Sequence, residues 1–458
     1  MLTTLLNAYA RFFQRWMPSP LSIAVLLSVL AGGMAVRAVG WEQSATSWVN
    51  GLWNPGLLRF GFQAMFMLVL GHVLALAPPM LNALNRAVIW VMNRPRLAPA
   101  KIALVAMSLG WLNWGLGLVG GAILVRGALD WMRRNPEGRT AHPGVLGAAG
   151  YTGLLVWHGG LSGSAPLKVA EPGHLAELAP HLSGLPDSIG LRDTLFAGWS
   201  WPITFAVAVA TALVFVWLGR QSNLEAVPVP EVDGNAKSEV PVSRALGLGE
   251  RLDRSRMLAG LLGVACWGGA IWGVVEGGWS AELRFITPDW INTVLLGTAL
   301  VAHGSMAGVL RALDAAIGGA SGILIQFPLY FGIMGLVTGT GLGAALANAL
   351  VGATSSEALP FALFLSSGVL NVFVPSGGGQ WAVQGPLVLE TCQTLHVPFE
   401  QGIMAMAFGD ELTNMLQPFW ALPLLGITGL RARDILPYTL LVMLVAGSAM
   451  LVGLACWG

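Results

Sequence analysis

Apolar residues in this chain fall into long runs. The first spans Leu21 to Val36. Others lie near 57–77, 101–132, 143–158, 194–218, 257–275, 290–302, 319–337, 357–392, 400–430 and 434–457. A hydrocarbon core about 30 Å thick needs roughly 20 apolar residues per helix. Several runs are too long for one crossing and too rich in glycine for two ordinary ones. The pattern predicts an all-α, polytopic membrane protein with broken helices. The run at Leu21 has no small-residue cleavage site before Trp41, and further spans follow, so it reads as a retained helix rather than a signal peptide.

Lys and Arg between the runs orient them. Arg11 and Arg15 put the N-terminus on the cytoplasmic side. Arg86, Arg94, Arg96 and Lys101 mark one inside loop, and Arg133, Arg134 and Arg139 mark another. The stretch 102–132 therefore leaves the cytoplasmic face and returns to it. It is short for two full crossings, and its middle reads Asn113-Trp114-Gly115-Leu116-Gly117-Leu118-Val119-Gly120-Gly121. A re-entrant helical hairpin with a broken tip fits these features. Residues 219–256 carry Arg220, Lys237, Arg244, Arg251, Arg254 and Arg256 among Pro, Val, Glu and Ser. They read as a cytoplasmic linker between membrane halves 1–218 and 257–458. From Ala312 to Leu430 there is no Lys or Arg, so the hairpin near 357–392 is expected to open on the outside. The inside signal returns at Arg431 and Arg433. Trp16, Trp41, Trp53, Trp279, Trp290 and Trp457 bracket helices as interface anchors.

A shift of 258 residues superposes the two hairpins. Ser108 falls on Ser366, Gly110 on Gly368, Leu112 on Leu370 and Asn113 on Asn371. Gly120 and Gly121 fall on Gly378 and Gly379, Val125 on Val383, and Gly127 on Gly385. One copy is flanked by inside charges and the other is not, which makes the repeats inverted. Inverted repeats with broken helices are the mark of secondary transporters, with a site near the midplane.

Composition narrows the reading further. The chain has 458 residues, 55% hydrophobic and 10% charged, with a mean hydropathy of +0.68. A soluble domain carries about a quarter charged residues. A net charge of +1 offers no field for nucleic acid. Cys266, Cys392 and Cys456 form no disulfide or zinc pattern. The 60 glycines suit close helix packing and broken backbone.

Broken helices leave unpaired N–H groups whose dipoles favour an anion. Asn113 and Asn371, with the glycines that follow (Gly115 and Gly120; Gly377 and Gly378), are the first candidates to hold one. The second tip also carries Ser376 and Gln380. The plainer alternative is that the glycines let helices touch and each Asn caps a helix. A second cluster is Asp410, Glu411, Thr413, Asn414 and Gln417, followed by Pro418. On a continuous helix Asp410, Asn414 and Gln417 share a face. A carboxylate, amide oxygens and freed carbonyls there suit Na⁺, and a desolvated carboxylate suits a proton. The alternative puts both acids at the outer surface, ending a helix. A third cluster, Trp157 to Pro166, supplies Ser162 and Ser164 and occupies the matching place in the first half. Its Gly160-Leu161-Ser162-Gly163 also matches an intramembrane serine protease, for which His72, His158 and His303 are the available bases. Four residues carry little weight in so glycine-rich a chain. Gly115-x-Gly117-x-x-Gly120 follows no strand and is no dinucleotide fingerprint. Arg126 and Asp130 form an i,i+4 pair, read as a helix-surface ion pair before a carboxylate clamp.

At these residues the sequence resembles the bacterial short-chain fatty acid transporter family. The matching stretches are Leu112 to Leu118, Gly160 to Pro166, Gln326-Phe327-Pro328, Pro375 to Gly379, Gln384-Gly385-Pro386 and Asn414 to Pro423. The family pattern often has Gly where His158 stands, His where Gln380 stands and Gln where Glu411 stands. The resemblance implies uptake of butyrate- or acetoacetate-like monocarboxylates across the inner membrane, by a protein that is not an enzyme and needs no resident cofactor. It also implies kinship with a wider ion transporter superfamily of dimers with paired hairpins and an elevator-like motion. The carboxylate would lie between the tips, near Asn113, Asn371 and Ser376, with Na⁺ or H⁺ as the coupling ion; for Na⁺, Asn113, Asn371 and Asn414 are the expected ligands. Partners are then the carboxylate, the bilayer and a second copy of the chain, with no nucleic acid. A uniporter or channel is the competing class. Asn371→Ala is expected to abolish uptake in a protein that still folds; normal uptake by the folded variant would overturn the site.

Overall fold

The computed structural model describes residues 2–135, 141–180, 182–221, 224, 227–230, 247–276, 287–352 and 354–457. Most of the expected linker, with Lys237 and Arg244, lies outside these residues, as do Arg139 and Trp279. The described residues are helical with no strand. Six helices among them are long and apolar enough to cross a membrane: Pro20–Val39, the run Trp41–Ala75, Trp114–Arg134, Ser200–Gly219, Arg256–Val275 and Ala432–Ala455. Side chains such as Leu26, Val29, Phe205, Leu261 and Trp272 are largely exposed on these helices, as a lipid-facing surface requires.

Several long helices start where the sequence supplies a cap. Ser19 caps Pro20–Val39 and Asn54 caps the helix from Pro55, each with Pro at the first position, where its missing N–H costs nothing. Ahead of them lies Leu2–Trp16, an amphipathic helix with Arg15 in its last turn. The apolar runs alone do not reveal it, because its apolar residues form a stripe and not a block.

Two expected spans are bent. Pro288–His303 turns through 119° into Met306–Ala316. The turn falls at Gly304, whose φ of 64° is open to glycine and costly for other residues. The second, in the run near 319–337, turns through 69° at Gly341, with φ 72°.

The centre is built twice from one plan. Helices Ala98–Leu112 and Trp114–Arg134 pack on each other and are joined by Asn113 alone. The first has 15 residues and is short for a crossing; the second has 21 and passes by length. A broken helix follows: Pro143–Tyr151, a 3₁₀ turn Thr152–Leu155, an unwound stretch, then Ser164–Val169. In the second half Leu359–Asn371 and Gly377–Leu395 form the hairpin. Phe399–Thr413, a 3₁₀ turn Asn414–Leu416 and Pro418–Thr428 form the broken helix.

Glycines set how closely hairpin and broken helix approach. A methyl group on Gly110 would meet the Gly153 carbonyl, and one on Gly409 would meet the Phe364 carbonyl. Gly368 faces the Gly409 carbonyl in turn, so Gly110·Gly153 and Gly368·Gly409 are the same contact in the two halves. Backbone cannot retreat as a side chain can, so Gly110→Ala or Gly409→Ala is expected to cost about 1–3 kcal/mol. Gly268→Ala, which meets open space, should leave stability within about 0.5 kcal/mol of the wild type. Thermal unfolding in detergent checks the contrast.

Candidate functional site

The two hairpin tips and the two broken helices meet at the centre. Every residue from Gly402 to Leu412 is buried. Asp410 and Glu411 are 1% and 0% exposed, so they do not end a helix at the outer surface. The helix carrying them does stop at Thr413, and Gln417 sits on extended backbone with φ −87° and ψ 119°. The expected common face for Asp410, Asn414 and Gln417 is therefore absent: Pro418 has no N–H, and the residue before it favours extended backbone.

Asn371 ties this break to the second hairpin. Its Nδ2 donates to the Asp410 carbonyl at 2.7 Å, Thr413 Oγ1 at 3.0 Å and Asn414 Oδ1 at 3.1 Å. Gln417 Nε2 donates back to the Asn371 carbonyl. Tyr151, from the other half, gives its hydroxyl to the carbonyls of Asn414 and Gln417 at 2.8 and 2.9 Å. The Asn414 and Thr413 oxygens expected to meet a cation accept from the Asn371 amide in this arrangement. An Asn371→Ala variant removes three acceptors' donor at once, so it should lose stability together with uptake.

Asn113 has a different task. Its Oδ1 accepts from the N–H groups of Gly115 at 2.9 Å and Leu116 at 3.3 Å, capping the helix that begins at Trp114. The capping alternative thus holds for Asn113 and fails for Asn371, although both occupy one register. Ser162 Oγ accepts from the Trp114 N–H at 3.0 Å. Trp111 Nε1 donates to the Gly159 carbonyl at 3.0 Å, and its own carbonyl accepts from the Leu161 N–H at 2.7 Å. The first tip is thereby sewn to the unwound stretch of its own half. Gly115 lies against Met67, and Gly120 against Leu109. Their part is close packing.

The second tip faces the other half. Ser376 caps Gly377–Leu395 through the Gly379 N–H. This leaves Gly377 and Gly378 at the open end of a long helix. A methyl group on Gly377 would lie 2.7 Å from His158 Nε2 and 2.9 Å from Ser164 Oγ, whereas one on Gly378 meets open space. Gln380 turns away, donating to Ser367 and Gln384 inside the hairpin. It braces the arms and does not line the tip.

His158, named in the sequence as a candidate base within a glycine–serine run, has another partner here. It is fully buried, and its Nε2 lies 3.3 Å from Asp410 Oδ2. Its main-chain N–H donates to Glu411 Oε2 at 2.8 Å. His158 and Glu411 thus touch each other. Tyr151 was missed outright, because nothing near it in sequence signals a partner 263 residues away. Two of the candidate bases are engaged away from Ser162: His303 Nε2 lies 2.8 Å from the Val73 carbonyl, and His158 faces Asp410. Arg126 pairs with Asp130 at 3.1 Å as expected, and it also donates to the Ile427 carbonyl at 3.0 Å.

The profile of the "Short chain fatty acid transporter" family matches residues 1–457. A protein of Escherichia coli K12, provisionally named a short-chain fatty acid transporter, is 33% identical over 97% of both chains. A protein of Haemophilus influenzae with the same provisional name is 30% identical over 97% of both chains. The solved YdaH transporter of Alcanivorax borkumensis gives a TM-score of 0.44 at 15% identity, over 96% of this chain and 97% of that one.

The tip glycines supply a matched test. Gly377→Ala forces a methyl group onto His158 and Ser164 and should cost about 1–3 kcal/mol, seen as a lower melting temperature and reduced uptake. Gly378→Ala, which meets open space, should keep the wild-type melting temperature. Equal behaviour of the two variants would disprove the close approach.

Proposed function

The chain belongs to the short-chain fatty acid transporter family, and from that premise we propose that it takes up short monocarboxylates, of the butyrate and acetoacetate kind, across the bacterial inner membrane by cation-coupled alternating access. The observation that carries the choice of site is the open helix end at Ser376, Gly377 and Gly378 set against Ser164 and His158. Main-chain amides at a helix N-terminus receive a carboxylate without a fixed cation. This suits a half with no Lys or Arg between Ala312 and Leu430. The space beside Gly378 is open, which suits a short acyl tail. Asn371, Thr413, Asn414 and Gln417 then act as the frame that holds the tip, with Asn113 and Ser162 doing the same for the first hairpin.

In this reading the N-terminus is cytoplasmic, the hairpins are re-entrant and move in an elevator-like manner, and the working unit is a homodimer. The glycine contacts between each hairpin and its broken helix favour motion of that pair as one body, since packed backbones resist sliding.

Purified protein in liposomes, given labelled butyrate under an imposed Na⁺ or proton gradient, tests the proposal. Accumulation above equilibrium under one gradient is expected. Downhill flux alone under every condition would make the protein a uniporter or channel, and no flux of butyrate or acetoacetate would refute the substrate class.

A further inference from the structure

His158, Asp410 and Glu411 are brought together from two halves of the chain and are 0%, 1% and 0% exposed. Among the described residues, the one ion-pair partner of either carboxylate is His158. With all three groups deprotonated the cluster holds two buried negative charges. Burying one unpaired ion costs several kcal/mol even after relaxation. One proton reduces the cluster to a single charge shared over three groups, and a second makes it neutral. Both imidazole nitrogens, Asp410 Oδ2 and Glu411 Oε1 have no well-formed hydrogen bond. The polar atoms needed to hold and pass a proton are thus in place and unused by the fold.

Nearby titratable groups are engaged elsewhere or lie outside. Lys168 pairs with Glu171, and Asp434 with Arg431. Arg433 reaches the Gln14 carbonyl, and Glu390 is exposed. The Tyr151 hydroxyl bonds the carbonyls of Asn414 and Gln417, Cys392 lies beside Gly402, and the Tyr438 ring packs on His142. Helices Leu359–Asn371 and Ser200–Gly219 contribute no titratable side chain. The Trp157 ring lies tilted against the His158 ring, with centroids 3.8 Å apart.

We propose that His158, Asp410 and Glu411 form a single proton-binding site, and that this proton is the coupling ion. The proposal rests on the transport reading above and deepens it. The site adjoins the second tip through His158 Nε2 and Gly377. A substrate carboxylate at the Gly377 and Gly378 amides therefore adds a negative charge beside the cluster and favours its protonated form. One proton enters from water with one carboxylate, resides among the three groups, and leaves to water on the far side with the anion, so net charge moved is zero. The proton belongs to the cluster as a whole, as in any closely coupled set.

Two measurements test this. The first needs no substrate: infrared difference spectra of the purified full-length protein, taken between mildly acidic and mildly alkaline media. Bands of a neutral carboxyl or an imidazolium are expected to change with pH and to be altered in D410N, E411Q and H158Q alike. Asp434→Asn, outside the cluster, should leave them in place. Spectra in which none of the three substitutions changes a pH-dependent band would overturn the proposal, whatever the protein carries. The second is butyrate accumulation in liposomes with and without an inward proton gradient. The ratio of the two is expected to be about tenfold or more in the wild type, and to fall to about one in D410N and E411Q. A merely structural role would lower both uptakes and keep the ratio. Accumulation driven by Na⁺ and indifferent to the proton gradient would also overturn it. If wild-type protein moves no butyrate, the substrate reading fails while the spectra still decide the proton site.

Discussion

A main chain interrupted inside a hydrocarbon slab must find partners for the groups it frees, because no water is there to supply them. That constraint organises this protein. The helix break after Thr413 is mended by Asn371 from the hairpin and by the Tyr151 hydroxyl from the other half. The unwound stretch before Ser164 is mended by Trp111 at the first tip and by the Glu411 carboxylate of the second half. Each break is therefore closed partly by its own hairpin and partly by the opposite repeat. The two halves interlock through their weakest backbone.

Glycine makes the close packing within each half possible. At Gly110, Gly153, Gly368 and Gly409 a main chain touches another main chain or sits one methyl group from doing so. Such contacts bring the amides and carbonyls of neighbouring helices within reach of short side chains such as Ser367 and Asn371. They also join each hairpin to its broken helix more tightly than side-chain packing alone would. With no Lys or Arg between Ala312 and Leu430, the acids at 410 and 411 face the His158 imidazole and its main-chain N–H.

Much of the frame was legible in the chain itself. Apolar run length reported the long helices, and Pro418 reported the break after Thr413. The shared register of Asn113 and Asn371 located both tips. What the register could not convey is that one Asn caps its own helix while the other reaches across to Asn414. An Asn at a break is suited to both, and only the neighbouring backbone selects between them. The amphipathic helix Leu2–Trp16 and the 119° turn at Gly304 also escaped the run-length argument. A stripe and a single left-handed glycine leave total hydropathy unchanged.

By itself the sequence determined a membrane protein of two related halves, where its helices break, and which family it resembles, because hydrophobic length, glycine and proline act locally. Only the tertiary structure decided which polar groups meet. His158 and Glu411 are 253 residues apart, and Tyr151 and Gln417 are 266 apart. Each of these residues alone is a buried polar group at a cost; packing the halves together turns them into partners. That pairing depends on how two helix breaks face one another, and no spacing along a single run encodes it.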